Sequence, residues 1–134
     1  MRNILCIAIL LLLYSCKKNH NGPSNANANL VNKWYAVSST YIQYNNGSPA
    51  NTTNTSYNHT DYIQFNLDGT GTQVKNGTTS AFTYTSENNV ITFKYTASQQ
   101  TDVANIKSLT TNNLELYFDH KTDHQYTYDL LMSL

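Results

Sequence analysis

The chain has 134 residues and no formal net charge, because 8 Lys and Arg balance 8 Asp and Glu, and only 12% of its residues are charged. This length provides enough apolar material for one domain and leaves no room for two. A neutral chain without a basic cluster argues against a nucleic-acid partner, since the phosphate backbone selects a dense array of Lys and Arg. Asn, Thr, Ser and Gln supply most of the polar surface instead, and 11 Tyr dominate the aromatic residues.

The first fifteen residues have the pattern of a secretory signal. Arg2 supplies a positive charge, and residues 4–14 form an apolar run that is shorter than the about 20 residues needed to cross a membrane. The run ends in LYSC at residues 13–16, which resembles the lipobox of bacterial lipoproteins, with Leu at −3, a small Ser at −1 and Cys at +1. The resemblance implies cleavage before Cys16 and acylation of its thiol, so membrane lipid is an expected partner. An ordinary signal followed by an unmodified Cys is the alternative.

Residues 16–29 are polar and without periodicity, which predicts a flexible tether with an average reach of roughly 20 Å. Cys6 leaves with the signal at residues 1–15, so the mature chain keeps one Cys and no intramolecular disulfide is expected. The resemblance to Gram-negative lipoproteins implies attachment to the outer membrane. Some of these proteins carry an acidic cluster after the Cys that directs export to the cell surface. This tether has no such cluster, so we expect the domain to face the periplasm.

Residues 30–134 are predicted to form one β-domain, since they show strand periodicity and no helical pattern. Short runs of alternating apolar and polar residues are separated by Asn, Gly, Asp and Ser, which is typical of hairpins. The pattern predicts eight strands, over residues 33–44, 61–67, 71–76, 80–86, 89–96, 102–109, 113–119 and 124–132. Because the connections are short, successive strands should pair antiparallel. The predicted fold class is therefore all-β, an eight-stranded up-and-down meander that closes as a small barrel.

The same alternation predicts which face of each strand is buried. The residues assigned to the interior are Ile63, Phe65, Leu67, Phe82, Tyr84, Ile91, Phe93, Tyr95, Leu114, Leu116, Phe118, Tyr126, Tyr128 and Leu130. Tyr35, Tyr41, Tyr62 and Tyr117 are assigned to the outer face. They are either ordinary strand residues or a surface that stacks on sugars or on a partner protein.

Several short motifs, in their order and spacing, resemble the small lipocalin-like lipoproteins of Gram-negative bacteria. The motifs are Leu30-x-x-x-Trp34, Tyr62-Ile63-x-Phe65-x-x-Asp68-Gly69-Thr70, Ile106-x-x-Leu109-Thr110 and Leu114-x-Leu116. Asn32 stands where the G-x-W motif of true lipocalins has Gly, so the resemblance is to lipocalin-like proteins. It implies a lipocalin-like barrel in which Trp34 plugs one end and the interior holds a small hydrophobic ligand.

The expected pocket is lined by inward aromatic residues, namely Phe65, Phe82, Tyr84, Phe93, Phe118 and Tyr128. Residues 45–60 are predicted to form a long polar loop at the open mouth. Tyr57 and His59 are candidate lid residues in that loop. In the alternative interpretation the loop is a mobile segment that contacts no ligand. One alternative is an envelope scaffold or interaction module with a solid barrel, since eight strands enclose just enough space for side chains. Another is a sugar-binding module. We expect a monomer without a cofactor.

The sequence Asp119-His120-x-x-Asp123-His124 places four possible metal ligands around one hairpin. Because neighbouring strand residues point to opposite faces, we expect a solvated turn here and no metal site. The mature chain has no reactive Cys, no close pair of acids on one strand face and no recognisable Ser–His arrangement. We therefore expect a binding protein and no enzymatic activity.

Overall fold

The computed structural model describes residues 28–122 and 125–134. The signal-like residues 1–15, Cys16, most of the tether, Asp123 and His124 lie outside the described residues. The strands are β1 (Lys33–Asn45), β2 (Ser48–Ser56), β3 (Tyr62–Phe65), β4 (Thr70–Lys75), β5 (Thr78–Glu87), β6 (Val90–Tyr95), β7 (Thr101–Leu109), β8 (Asn113–His120) and β9 (Tyr126–Ser133). In this part of the chain no helix is long and apolar enough to cross a membrane.

Eight of these strands close into an antiparallel barrel. β3 to β9 pair in chain order, and β1 pairs with β3 on one side and with β9 on the other, which closes the cylinder. The predicted eight-stranded meander is confirmed, with strand boundaries that agree to within two residues. Because every strand of the cylinder has two neighbours, its walls present no free edge over the paired residues.

β2 is a ninth strand, and it shows that the prediction of a loop over residues 45–60 is wrong. Ser48–Ser56 pairs antiparallel with the second half of β1. Asn46 and Gly47, both with positive φ, form the two-residue turn between the two strands. All nine residues of β2 are exposed, so the strand has no apolar alternation by which it can be recognised. Only residues 57–61, between β2 and β3, remain irregular.

A β-bulge in β1 reverses the side of the strand that faces the interior. Relative to β9, β1 contains one extra residue, Val37. Before the bulge Trp34 and Ala36 are buried, whereas after it Ser39 is buried. Tyr41 lies two residues beyond Ser39 and points inward, so its predicted outward assignment is wrong.

The core fills the end of the barrel at which β1 begins. Trp34 is fully buried there and donates its Nε1–H to the backbone oxygen of Leu30 at 2.9 Å. Above it lies a cluster of aromatic rings whose centroids are 4.9–6.3 Å apart, formed by Phe65, Phe82, Tyr84 and Phe93. Leu67 is not part of this core: β3 ends at Phe65, and Leu67 is 71% exposed. Its predicted inward position is wrong.

Candidate functional site

A cavity of about 260 Å³ opens at the end of the barrel opposite Trp34, and we call it the outer cavity. Its lining comes from six strands, so only closure of the barrel brings these residues together. The lining residues are Tyr41, Gln73, Lys75, Tyr95, Asp102, Phe118, His120, Tyr126 and Tyr128.

One wall of the outer cavity is a row of aromatic rings on the adjacent strands β1, β9 and β8. The ring centroids of Tyr41 and Tyr126 are 5.1 Å apart, and those of Tyr126 and His120 are 4.8 Å apart. Such spacings are typical of interacting aromatic pairs. The ring planes are tilted by 34° and 43° to one another, so the row forms an aromatic wall and not one flat surface.

The other walls contribute hydrogen-bonding groups. The hydroxyl of Tyr95 donates to Oε1 of Gln73 at 3.0 Å, and Nε2 of His120 lies 3.2 Å from Oδ1 of Asp102. Burial, together with the nearby charge of Asp102, raises the pKa of Tyr95 to about 12. Its hydroxyl therefore stays protonated above pH 10, near which an unperturbed Tyr ionises. The outer cavity combines aromatic surface with groups that can recognise the polar end of a ligand.

A second, smaller cavity of about 40 Å³ lies between core residues of the barrel and the irregular residues 57–61, and we call it the inner cavity. It is lined by Ala36, Tyr57, Asp61, Tyr62, Ile63, Gln73, Val74, Lys75, Phe118, Tyr128, Leu130 and Met132. A water molecule needs roughly 10–15 Å³ of such space, whereas an engineered cavity of about 150 Å³ holds benzene. The inner cavity thus has room for water but not for a ring.

A chain of three hydroxyl groups lies beside the inner cavity. The Tyr57 hydroxyl is 3.0 Å from Oγ of Ser39 and 3.0 Å from the Tyr128 hydroxyl. Burial is the main cause that raises the pKa of Tyr128, so the folded barrel disfavours its phenolate. The chain connects the irregular residues 57–61 to β1 and β9 through the barrel interior.

The two candidate lid residues lie in different places. Tyr57 turns inward and packs against the core. His59 is exposed, has a φ of 58°, and its ring centroid is 6.2 Å from that of Tyr35 on the outer face. The structure therefore does not bring Tyr57 and His59 together over the mouth.

The six residues predicted to line a pocket divide into two groups. Phe118 and Tyr128 line both cavities. The other four are at most 3% exposed and line neither cavity, because they pack on one another in the aromatic cluster: Phe65, Phe82, Tyr84 and Phe93. The sequence reasoning missed Gln73 and Lys75, which lie two and four residues after the buried Gly71 and thus on the inward side of β4. Both residues can be predicted to face the interior if the alternation of inward and outward positions along β4 is continued beyond Gly71.

The outer-face Tyr residues do not form one platform. The rings of Tyr35 and Tyr62 meet edge to face at 6.0 Å, but Nζ of Lys33 lies 3.8 Å from the centroid of the Tyr62 ring and covers it. Tyr117 lies on β8, where its hydroxyl donates to Asp119 at 3.3 Å. The aromatic surface that a sugar needs is therefore divided and partly covered.

Asp119 and His120, from the possible metal-binding sequence, point in different directions. Oδ1 of Asp119 accepts the backbone N–H of Lys121 at 3.1 Å, whereas His120 lines the outer cavity beside Asp102. The backbone hydrogen bond from Lys121 is the main reason that the pKa of Asp119 is lowered. Within residues 28–122 and 125–134, no three His, Cys, Asp or Glu residues are placed to hold a metal ion.

An eight-stranded antiparallel barrel, packed around a Trp at one end and hollow at the other, has the architecture of the small up-and-down barrels, whose interior is either filled by side chains or holds one small ligand. The model of the lipocalin-like domain family matches residues 30–116, and the chain belongs to this family. The sequence resemblance to lipocalin-like domains is thereby confirmed.

A solved structure supports the same fold. It is that of a lipocalin-like protein from Bacteroides uniformis, with a TM-score of 0.54 and 14% identity, and the match covers 78% of this chain and 97% of that one. At this identity the likeness shows the fold alone. None of the curated proteins matches the chain.

Proposed function

We propose that the protein is a membrane-anchored lipocalin-like protein that binds one small hydrophobic ligand with a polar end. The observation that carries this proposal is the outer cavity, where a row of rings faces hydrogen-bonding groups at the open end of the barrel. Ligand sites combine apolar surface with polar groups that fix the orientation of the ligand, and the polar groups of this cavity also include Lys75 and Asp102. The ring row of Tyr41, Tyr126 and His120 would hold the apolar part, and Gln73 and Tyr95 would bind the polar end.

The volume of the outer cavity limits the ligand to a small molecule. About 260 Å³ is more than the roughly 150 Å³ that holds benzene. It is less than the roughly 300–1,000 Å³ of sites for drug-sized ligands. One or two fused rings fit this space, whereas a whole phospholipid does not. We therefore infer a hydrophobic metabolite of one or two rings.

The membrane anchor in this proposal rests on the sequence. The lipobox-like LYSC at residues 13–16 supports acylation of Cys16, and the tether that follows contains no acidic cluster. On this basis we propose that the barrel lies on the periplasmic side of the outer membrane. A soluble ligand that diffuses through the periplasm would reach the open mouth of a barrel held in this way.

A second candidate function is a scaffold or interaction module without a ligand. The observation in its favour is the aromatic cluster of Phe65, Phe82, Tyr84 and Phe93, which fills the lower part of the barrel with buried rings. In this alternative the outer cavity is only a solvated depression in the end of a solid barrel.

Mass spectrometry of the protein extracted gently from its own membrane tests both candidates. The denatured mass reports cleavage and acylation at Cys16, and an unprocessed or unmodified mass contradicts the anchor. The native spectrum reports the ligand. A discrete additional mass that corresponds to a compound of one or two rings supports the ligand-binding function, and fragmentation of the bound compound identifies it. A barrel without such a mass over several growth conditions favours the scaffold.

A further inference from the structure

The outer and inner cavities are neighbours separated by one thin wall. Four residues line both of them, Gln73 and Lys75 on β4, and Phe118 and Tyr128 on β8 and β9. The side chains of these four residues therefore form the partition between a space that fits a ring and a space that fits water.

Phe118 is held firmly in this partition. It is 8% exposed, and its ring centroid lies 6.2 Å from that of Phe93 in the aromatic cluster. Moving Phe118 would disturb the core, so we treat it as a fixed part of the wall.

Tyr128 is less tightly packed and is held by its polar tip. It is half-buried, with its ring centroid 5.9 Å from that of Phe118. Nζ of Lys75 lies 5.7 Å from the ring centroid on the β4 side of the wall. The hydroxyl is fixed by the hydrogen bond to Tyr57, which is itself bound to Ser39. The Tyr57 hydroxyl, together with Ser39, which also interacts with the Tyr128 hydroxyl, thus holds the Tyr128 ring in place.

We propose that Tyr128 sets the maximum length of the ligand by closing the inner cavity to it, with Tyr57 as the residue that positions Tyr128. This inference rests on the proposed ligand-binding function. Without the Tyr128 ring the two cavities join into a space of about 300 Å³, to which the volume of the removed ring is added. The inner part of that space is lined by Ile63, Leu130 and Met132, and also by the buried Asp61, whose Oδ1 accepts the backbone N–H of Asn76. A ligand with an alkyl tail can then bury more of the tail.

A homologous series of ligands measures this limit. The 4-alkylphenols, from 4-ethylphenol to 4-octylphenol, share one ring and one polar end and differ only in tail length. Each buried methylene contributes about fourfold in affinity. In the wild-type protein the affinity should rise by this factor until the tail reaches Tyr128, and then level off. The full chain is used as the cell makes it, in nanodiscs, with uptake by empty nanodiscs subtracted.

The decisive variant is Tyr128→Leu, in which we expect the affinity to keep rising for at least two further methylenes, a gain of about 16-fold for the longest tails. Tyr126→Leu is the matched control, because Tyr126 lines the outer cavity but not the inner one. It should weaken binding of the whole series without moving the length limit. An unchanged limit in Tyr128→Leu, or the same shift in Tyr126→Leu, overturns the proposal.

Tyr57→Phe gives a second test that keeps every ring in place. It removes only the hydroxyl that fixes Tyr128, so the limit should shift in the same direction by a smaller amount. If Tyr128→Leu does not fold, the presence or absence of a shift in the length limit of Tyr57→Phe tests the proposal instead. Saturable binding of the short phenols with an unshifted limit contradicts the partition alone. Failure of every phenol to bind any variant also contradicts the proposed function.

Discussion

The hydroxyl groups of Tyr57 and Tyr128 lie 3.0 Å apart, although the two residues are 71 positions apart in the chain. With Ser39 they form a chain of hydroxyls that joins the irregular residues 57–61 to two strands of the barrel wall. This relationship gives a segment without regular secondary structure a fixed position. It also places three hydroxyl groups beside the inner cavity.

Removing the central hydroxyl should therefore destabilise the fold. In Tyr57→Phe the hydrogen bonds of the Tyr57 hydroxyl to Ser39 and to Tyr128 are both lost. We expect the free energy of unfolding to fall by about 1–2 kcal/mol. Urea denaturation followed by circular dichroism measures this change. Tyr41→Phe, which removes a hydroxyl at the mouth of the barrel, is the control and should change stability by less than about 0.5 kcal/mol. Equal losses in the two variants contradict a structural role for the hydroxyl chain.

Gly71 provides a second prediction, because it lies directly opposite Phe82 in the pairing of β4 with β5. A Cβ atom added to Gly71 would overlap the Phe82 ring and the backbone oxygen of Gln64. Since the backbone cannot move away cheaply, we expect Gly71→Ala to cost about 3 kcal/mol, at the upper end for overpacking.

The matched control for Gly71 is Gly77, in the turn between β4 and β5. A Cβ atom there meets nothing within 4 Å, but φ is +76°. Gly77→Ala should therefore cost only the about 1–2 kcal/mol of a left-handed non-glycine residue. The midpoints of urea denaturation rank the two variants, and a smaller loss at Gly71 than at Gly77 would show that the Phe82 ring moves aside.

The parts of the fold that were predicted correctly from the sequence are the strands that have one face buried and the other exposed to solvent. Along β8, for example, Leu114, Leu116 and Phe118 are buried and alternate with more exposed residues. Burial imposes this alternation, so it can be recovered from the residue types alone. The same logic placed the eight strands of the barrel and the inward positions of Phe118 and Tyr128.

The wrong predictions concern segments in which burial does not impose an alternation of apolar and polar residues. β2 has water on both faces, and its only sequence signal is the turn at Asn46 and Gly47, a pair that strongly favours two-residue hairpins. The bulge at Val37 lies next to Ser38 and Ser39, where polar residues conceal the change of side. Tyr41 was assigned outward for that reason.

The position of the cavity could not be predicted from the sequence, for a different reason. Alternation shows that Phe65, Phe93 and Tyr128 all point inward, but it does not show how far the rings reach across the barrel. The interior is filled where rings from opposite strands meet, and it stays open where shorter or polar side chains such as Gln73 line the wall. This balance depends on packing between strands distant in sequence, so the predicted lining included four residues of the solid core.

Trp34 allows the two ends of the barrel to be tested separately. It is fully buried, and its indole N–H pairs with the Leu30 carbonyl. Trp34→Phe leaves that carbonyl without its partner and opens a small cavity, so we expect a loss of about 2–3 kcal/mol. Because the outer cavity lies at the opposite end, the affinity for 4-butylphenol should change less than twofold. Thermal unfolding and a binding titration of the same sample measure both effects. A large loss of affinity at unchanged stability contradicts this separation of the ends.

The buried Tyr84 and the half-buried Tyr95 and Tyr128 predict how stability depends on high pH. Burial is the main cause that raises the pKa of Tyr84, Tyr95 and Tyr128, and that of Tyr95 reaches about 12. The folded state disfavours the phenolate, whereas an unfolded Tyr ionises near pH 10. The unfolded state therefore gives up protons first, and stability should fall as the pH rises through 10 towards 12. Each group contributes at most about 1.4 kcal/mol per pH unit, and partial exposure reduces this value.

Tyr95→Phe isolates one of these contributions. At pH 7 the variant should lose about 1 kcal/mol, because Gln73 no longer receives its hydrogen bond. Between pH 10 and 12 it should lose stability less steeply than the wild-type protein, so the two curves of unfolding free energy against pH converge. Urea denaturation at several pH values gives these curves, and absorbance at the phenolate band counts the groups that titrate. Parallel curves over this range would mean that the Tyr95 hydroxyl ionises as easily in the folded barrel as in the unfolded chain, and that the outer cavity admits enough water to stabilise its phenolate.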